Sequence, residues 1–218
     1  MAPLTMLGAF VLGLLSTAID ALPAKTYSLC QKKTTNPLDG CPKGTIFVSQ
    51  SDTSAKFTSI QAAIRSLPND TSPRVILIGA GTYIEQLNVT RPGPLALLGQ
   101  SNAPWKNDLY ADVDYNTTAA NEVQVYHNSA NYNTLFPDNV FTGVLTVGPT
   151  YNATLTGAGP TGYPIPANTT FGCSDFRAYN IDFRNEFAPY SNGPAHALGV
   201  GYANAGFYSC GFYRCVLS

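Results

Sequence analysis

The side chains that could do chemistry here are few and widely spaced. Glu85 closes the run Gly81-Thr-Tyr83-Ile-Glu85, Asp112 and Asp114 form a D-x-D, and His196 sits in Gly193-Pro-Ala-His-Ala-Leu198. A carboxylate beside a glycine corner suits acceptance of backbone N–H groups better than acid–base work, so Glu85 reads as structural. The D-x-D could hold a cation, but no further acids stand at ligand spacing and it reads as solvated loop; no metal is expected. His196 could face a groove and donate to a substrate, or simply pack. The chain has no G-x-S-x-G elbow, Walker loop, H-E-x-x-H or dinucleotide fingerprint, and no cofactor is expected.

The elements that would position these groups are short strands. Arg74–Ile78 is a β-rich run, apolar from Val75 onward, that meets the glycine corner and returns at once to a second strand, Leu87–Val89. Similar runs recur at 45–48, 95–98, 123–126, 144–147, 176–183, 197–201 and 206–208, separated by Gly, Asn and Pro turns. Without long crossover helices, the pattern argues against a doubly wound α/β fold. It leaves an antiparallel sandwich or a parallel β-helix, because the repeat is too ragged to choose. One helix is predicted over 58–67, with Ile60, Ala63, Ile64 and Leu67 on one face and Thr58 and Gln61 spaced as a capping box. It could plug the open end of a solenoid. The aromatics Tyr202, Phe207, Tyr208, Phe212 and Tyr213 suit stacking between coils better than a sugar groove.

Charged residues make up 11% of the chain and the formal net charge is −1, so no basic field exists to draw nucleic acid or anionic lipid. The apolar run 4–15, followed by small residues at Ala18 and Ala21, reads as a signal peptide over 1–21, which places the protein outside the cell. Sequons at Asn69, Asn88, Asn116, Asn152 and Asn168 agree with secretion. Five cysteines in an exported chain favour disulfides. Cys30 with Cys41 would close a loop, Cys173 with Cys210 is a second pairing, and Cys215 is left over. Residues 22–43 lack periodicity and are expected as an extended lead-in, with one domain over 44–218 and a monomer as the working form.

Three runs carry a family resemblance. Phe57-Thr-Ser-Ile-Gln-Ala-Ala-Ile64 with Gly81-x-Tyr83-x-Glu85 and Leu97-Leu-Gly-Gln100 resembles the opening of the pectin methylesterases. Ser174 to Asn185 is similar to their F-x-A-x-N-[IL]-x-F-x-N, and Gly193 to Leu198 with Ala205 to Phe212 to their G-Q-A-V-A-L and A-x-F-Y-x-C-x-F. The resemblance implies an all-β, right-handed parallel β-helix. It also implies hydrolysis of galacturonate methyl esters in cell-wall pectin, by an attacking Asp, a second Asp as acid and base, glutamine amides for the oxyanion and an orienting Arg. By the same alignment Ala195 and His196 fall in the substrate-binding strand, Pro194 replaces the first oxyanion glutamine, and Val216 and Leu217 stand where the family has Gln-Asp. No catalytic residue is therefore assigned. The expectation is a fungal-type pectinesterase chain, incomplete at its C-terminus and inactive as written, with a non-catalytic polysaccharide-binding β-helix as the alternative. The N-T-D, D-D and G-H-G pattern of polygalacturonases and the calcium-binding carboxylate cluster of pectate lyases are absent.

Overall fold

The structure, a computed structural model, describes residues 24–102, 104, 121–132, 135–157, 163–187 and 193–214. The signal segment, Asn116, Asp112, Asp114 and residues 215–218 lie outside them.

Among the described residues, twelve strands wind into successive coils. The first comprises β2 (Arg74–Ile78), β3 (Gly81–Ile84) and β4 (Leu87–Val89), and the second β5 (Leu95–Gly99), β6 (Val123–Tyr126) and β7 (Leu145–Val147). The third comprises β8 (Phe176–Tyr179), β9 (Ile181–Asn185) and β10 (Leu198–Val200), and β11 (Ala205–Tyr208) and β12 (Gly211–Arg214) begin a fourth. Equivalent strands pair in parallel and form three sheets, β1-β2-β5-β8-β11, β12-β9-β6-β3 and β10-β7-β4, where β1 is Ile46–Val48. This is the parallel β-helix, and the antiparallel sandwich is excluded. The repeat is ragged in sequence because the second coil carries the long insertions, between β5 and β6 and from β6 through to β8.

Register explains the core. Each strand sends alternate residues inward, so Ile76, Leu97, Ala178 and Phe207 align across one sheet, and Tyr83, Val125, Phe183 and Phe212 across another. The stacked rows make one apolar column, continued into the fourth coil by aromatics: Phe207 and Phe212 meet edge-on at 5.0 Å, and Phe212 stacks on Phe183 at 5.6 Å. The turn between β8 and β9 is made by Asn180, at a φ of 53°, a left-handed conformation that asparagine tolerates. Its carbonyl lies so near Gly99 that a methyl group added there would sit 2.2 Å from it. The asparagine of F-x-A-x-N thus marks a corner.

The helix expected over 58–67 is shorter, α2 (Ile60–Arg65), and buries Ile60, Ala63 and Ile64 over the first coil. Its cap differs from the expected box: Ser59 is the N-cap, and Gln61 instead exchanges two hydrogen bonds with the backbone of Asn88 on the edge strand β4. Glu85 completes the cap, accepting from Ile60 N at 3.0 Å, Gln61 N at 2.9 Å and Ser59 Oγ at 2.7 Å. The glycine-corner carboxylate is therefore a helix anchor, as its setting implied. Glu85→Ala should lower stability by about 1–2 kcal/mol, read as a shifted urea midpoint, with Glu85→Gln recovering part of the loss.

The lead-in is not extended. Ala24–Cys30 forms α1, and Tyr27 and Cys30 pack on Phe47, Val75, Leu77, Ala96, Leu98 and Tyr179 of the five-stranded sheet's outer face. The absence of helical periodicity misled because the segment is under two turns long and is held by tertiary contacts and by the Cys30–Cys41 disulfide. Gln31 then donates to Gly99 O and Asn180 Oδ1, tying the lead-in to the corner.

Candidate functional site

Ala195 and His196, which the resemblance assigns to substrate binding, lead into β10 at the edge of the three-stranded sheet. Leu87, Val89, Leu145 and Val147 point inward, which leaves Asn88, Thr146 and Gly199 as the outward row, aligned by register. That row is roofed. Thr146 is buried, and Val140 of the 3-10 turn Asn139–Thr142 lies close enough to Gly199 that an added methyl would meet its Cγ2 at 2.8 Å. Beyond β7, α3 (Tyr151–Thr154) extends the roof, with Phe141 stacked on Tyr151 at 4.8 Å. Asp138 fastens it, accepting from Val140 N, Thr156 N and Thr156 Oγ1. Burial works against its charge, but these hydrogen bonds prevail and hold its carboxyl below the usual range.

Beside this face runs the segment of the proposed substrate strand. Pro194 is exposed and its carbonyl accepts from Asn131 N; Ala195 is buried; His196 is half-buried. The backbone of His196 is fixed on both sides, its N–H donating to Thr142 Oγ1 and its carbonyl accepting from Asn185 Nδ2. Asn185, fully buried, also donates to Ser129 O and Thr142 O and accepts from Ser129 N. The last asparagine of the F-x-N pattern is thus the bolt that aligns the strand entering β10 with the roof. Proline at 194 brings no side-chain donor, so this position offers an exposed ring where an amide would polarise a carbonyl.

Tyr83 is fully buried and donates to Gly79 O; burial first, and the nearby Glu85 charge second, push its phenol up to about 12. It is a core residue. The aromatics expected to stack do so in part: Phe207 packs against the core, Phe212 stacks on Phe183 with one side exposed and Tyr208 stacks on Tyr179 at 4.5 Å, whereas Tyr213 lies 4.1 Å from the Arg184 guanidinium on the outer face and Tyr202 is exposed. The expected Cys173–Cys210 bond is absent. Both thiols are free: Cys173 donates to Gly93 O from the core, and Cys210 belongs to the corner between β11 and β12.

One polar cluster was not anticipated from sequence. Asp182 is fully buried on the outward side of β9, accepting from Asn121 N at 3.1 Å and Asn121 Nδ2 at 2.7 Å, while Asn121 also reaches Ser209 O. Desolvation raises its pKa, opposed by the Asn121 bonds and by Arg184. Its signal was present in Ile181-Asp-Phe-Arg-Asn185, where Asp182 and Arg184 must share a face opposite Phe183. The carboxylate has no exposed surface, so it joins coils rather than meeting a ligand. Among the described residues no group of three or more His, Cys, Asp or Glu could hold a metal ion, and no helix is long and apolar enough to cross a membrane.

No family model matches the chain, and no curated protein matches it. Solved structures do. The pectin methylesterase from Aspergillus niger in its penultimately deglycosylated form, which keeps an N-acetylglucosamine stub, superposes with a TM-score of 0.54 at 22% identity, covering 80% of this chain and 44% of that one. Its deglycosylated form gives 0.53 at 23% identity, again over 80% and 44%. The pectin methylesterase from carrot gives 0.49 at 17%, over 77% and 41%. By its likeness to the two Aspergillus niger forms the chain has the parallel β-helix fold of the pectin methylesterases, and it spans less than half the length of those structures.

Proposed function

We propose that this chain is a secreted, pectinesterase-like β-helix of fungal type whose ligand is methyl-esterified galacturonan of plant cell walls. The observation that carries the reading is the coincidence of motif and place. The asparagines of F-x-A-x-N-I-x-F-x-N serve as a corner and as the bolt behind His196, and the runs Gly193–Leu198 and Ala205–Phe212 lead into β10 and make β11 and β12 of the same solenoid. Ala195 and His196 remain the proposed substrate-strand residues, His196 as the one able to reach a sugar and Ala195 as its buried support.

The second reading is a polysaccharide-binding β-helix without ester hydrolysis. It is favoured for the described residues by Pro194, which puts no amide at its position, and by the roofed outward row of Asn88, Thr146 and Gly199, which holds no carboxylate. Both readings share the ligand. Native gels cast with highly methylated pectin should retard the purified chain, while gels cast with xylan or mannan should not. Equal mobility in all three would remove the proposed ligand.

A further inference from the structure

A hollow of about 390 Å³ opens between α2, the turn after β4 and the start of the segment after β7, with Gln61, Arg65, Asn69, Asn88, Arg91 and Pro149 on its walls. Its size falls in the roughly 300–1,000 Å³ range of small-molecule pockets. Amides, guanidiniums and a hydroxyl line it, groups that hydrogen-bond sugar hydroxyls and acetamido carbonyls. Arg91 is 5% exposed, and its Nε is a buried donor with no partner.

Two sequon asparagines reach this one hollow, and they differ. Asn69 is exposed in a turn, from which an attached sugar turns to solvent. Asn88 is half-buried in β4, its backbone held on both sides by Gln61, and Thr90, the hydroxyl residue of its own sequon, lines the same hollow. A sugar on Asn88 must therefore begin inside.

We propose that Asn88 carries an N-linked glycan whose first N-acetylglucosamine occupies this hollow and latches α2 to the three-stranded sheet. The inference rests on the secretion reading above. The modification precedes folding: Asn88 Nδ2 bonds to the anomeric carbon of a lipid-diphosphate-linked oligosaccharide, the carbon–oxygen bond to the diphosphate breaks, and the lipid diphosphate and one amide proton leave. Folding then closes α2 over the first sugar, which brings hydroxyl and acetamido groups to Gln61, Arg65 and Arg91.

The test is glycopeptide mass spectrometry on the protein secreted from a eukaryotic host, combined with native endoglycosidase digestion. The Asn88 peptide should carry hexosamine, and its release should be roughly tenfold slower than release at Asn152 and Asn168, a difference abolished by unfolding. Asn88→Gln and Thr90→Ala, which remove the glycan by different side chains, should each lower the melting temperature by about 4 °C, while Asn69→Gln should not. A bare Asn88 beside modified Asn152 and Asn168, or equal release at all three, overturns the proposal. Sequons bare throughout would instead remove the secretion reading, and the glycan with it.

Discussion

Phe183→Ala should cost about 3–5 kcal/mol, a large share of the roughly 5–15 kcal/mol that holds an ordinary domain folded. Phe183 is fully buried at the centre of the inward row of the four-stranded sheet, and it touches Phe207 at 6.5 Å and Phe212 at 5.6 Å between ring centres. Removing the ring opens a cavity between the third coil and the start of the fourth. A coil in a solenoid is stabilised chiefly by its neighbours, so the loss should be felt as detachment of β11 and β12 before the first two coils respond. Urea unfolding followed by near-ultraviolet circular dichroism would measure it. A midpoint within a few tenths of a molar of the parent's would show that these rings do not form the continuous stack described here.

The second large effect is on chemistry. The 218-residue chain should release no methanol from highly methylated pectin at any pH above the rate of the buffer alone. Ester hydrolysis by carboxylates needs an accessible nucleophilic acid, a second acid and oxyanion donors. The outward row offers Asn88, Thr146 and Gly199 instead, Pro194 supplies no amide, and the carboxylate of Asp182 is sealed by Asn121. Contacts that bind substrate and transition state equally lower no barrier. Turnover by purified, mass-verified chain would mean that the active face has been misplaced.

Much of the architecture was legible in the residues. Arg74–Ile78, Leu87–Val89 and Val123–Tyr126 coincide with their strands, because each is a short β-rich apolar or alternating run between turn residues. Alternation alone shows 176–183 as one β-rich run, since a non-glycine residue at a left-handed corner leaves little trace; the resemblance to the family's strand pair implies a break, and Asn180 divides the run into β8 and β9. The choice between sandwich and solenoid depended on which strands pair across long insertions, information that alternation does not contain. It came from the family resemblance, and the parallel register bears it out.

The site was harder to read than the fold. Glu85 was placed correctly because a carboxylate next to a corner has obvious backbone donors nearby. Gln61 was misplaced because its amide partner, Asn88, lies on another strand and the spacing of Thr58 and Gln61 imitated a local cap. The roof over Thr146 and the bolt at Asn185 escaped sequence reasoning for the same cause: Val140, Thr142 and Ser129 reach these residues through tertiary packing alone.

Hydrogen–deuterium exchange of the chain with and without methylated galacturonan oligomers tests the central claim most directly, since it asks which face of the solenoid meets the ligand. Slowed exchange should be confined to the roof at 139–154 and to 196–200 entering and forming β10, with the five-stranded sheet under α1 unchanged. Protection on that covered sheet, or no protection anywhere at saturating oligomer, would contradict it.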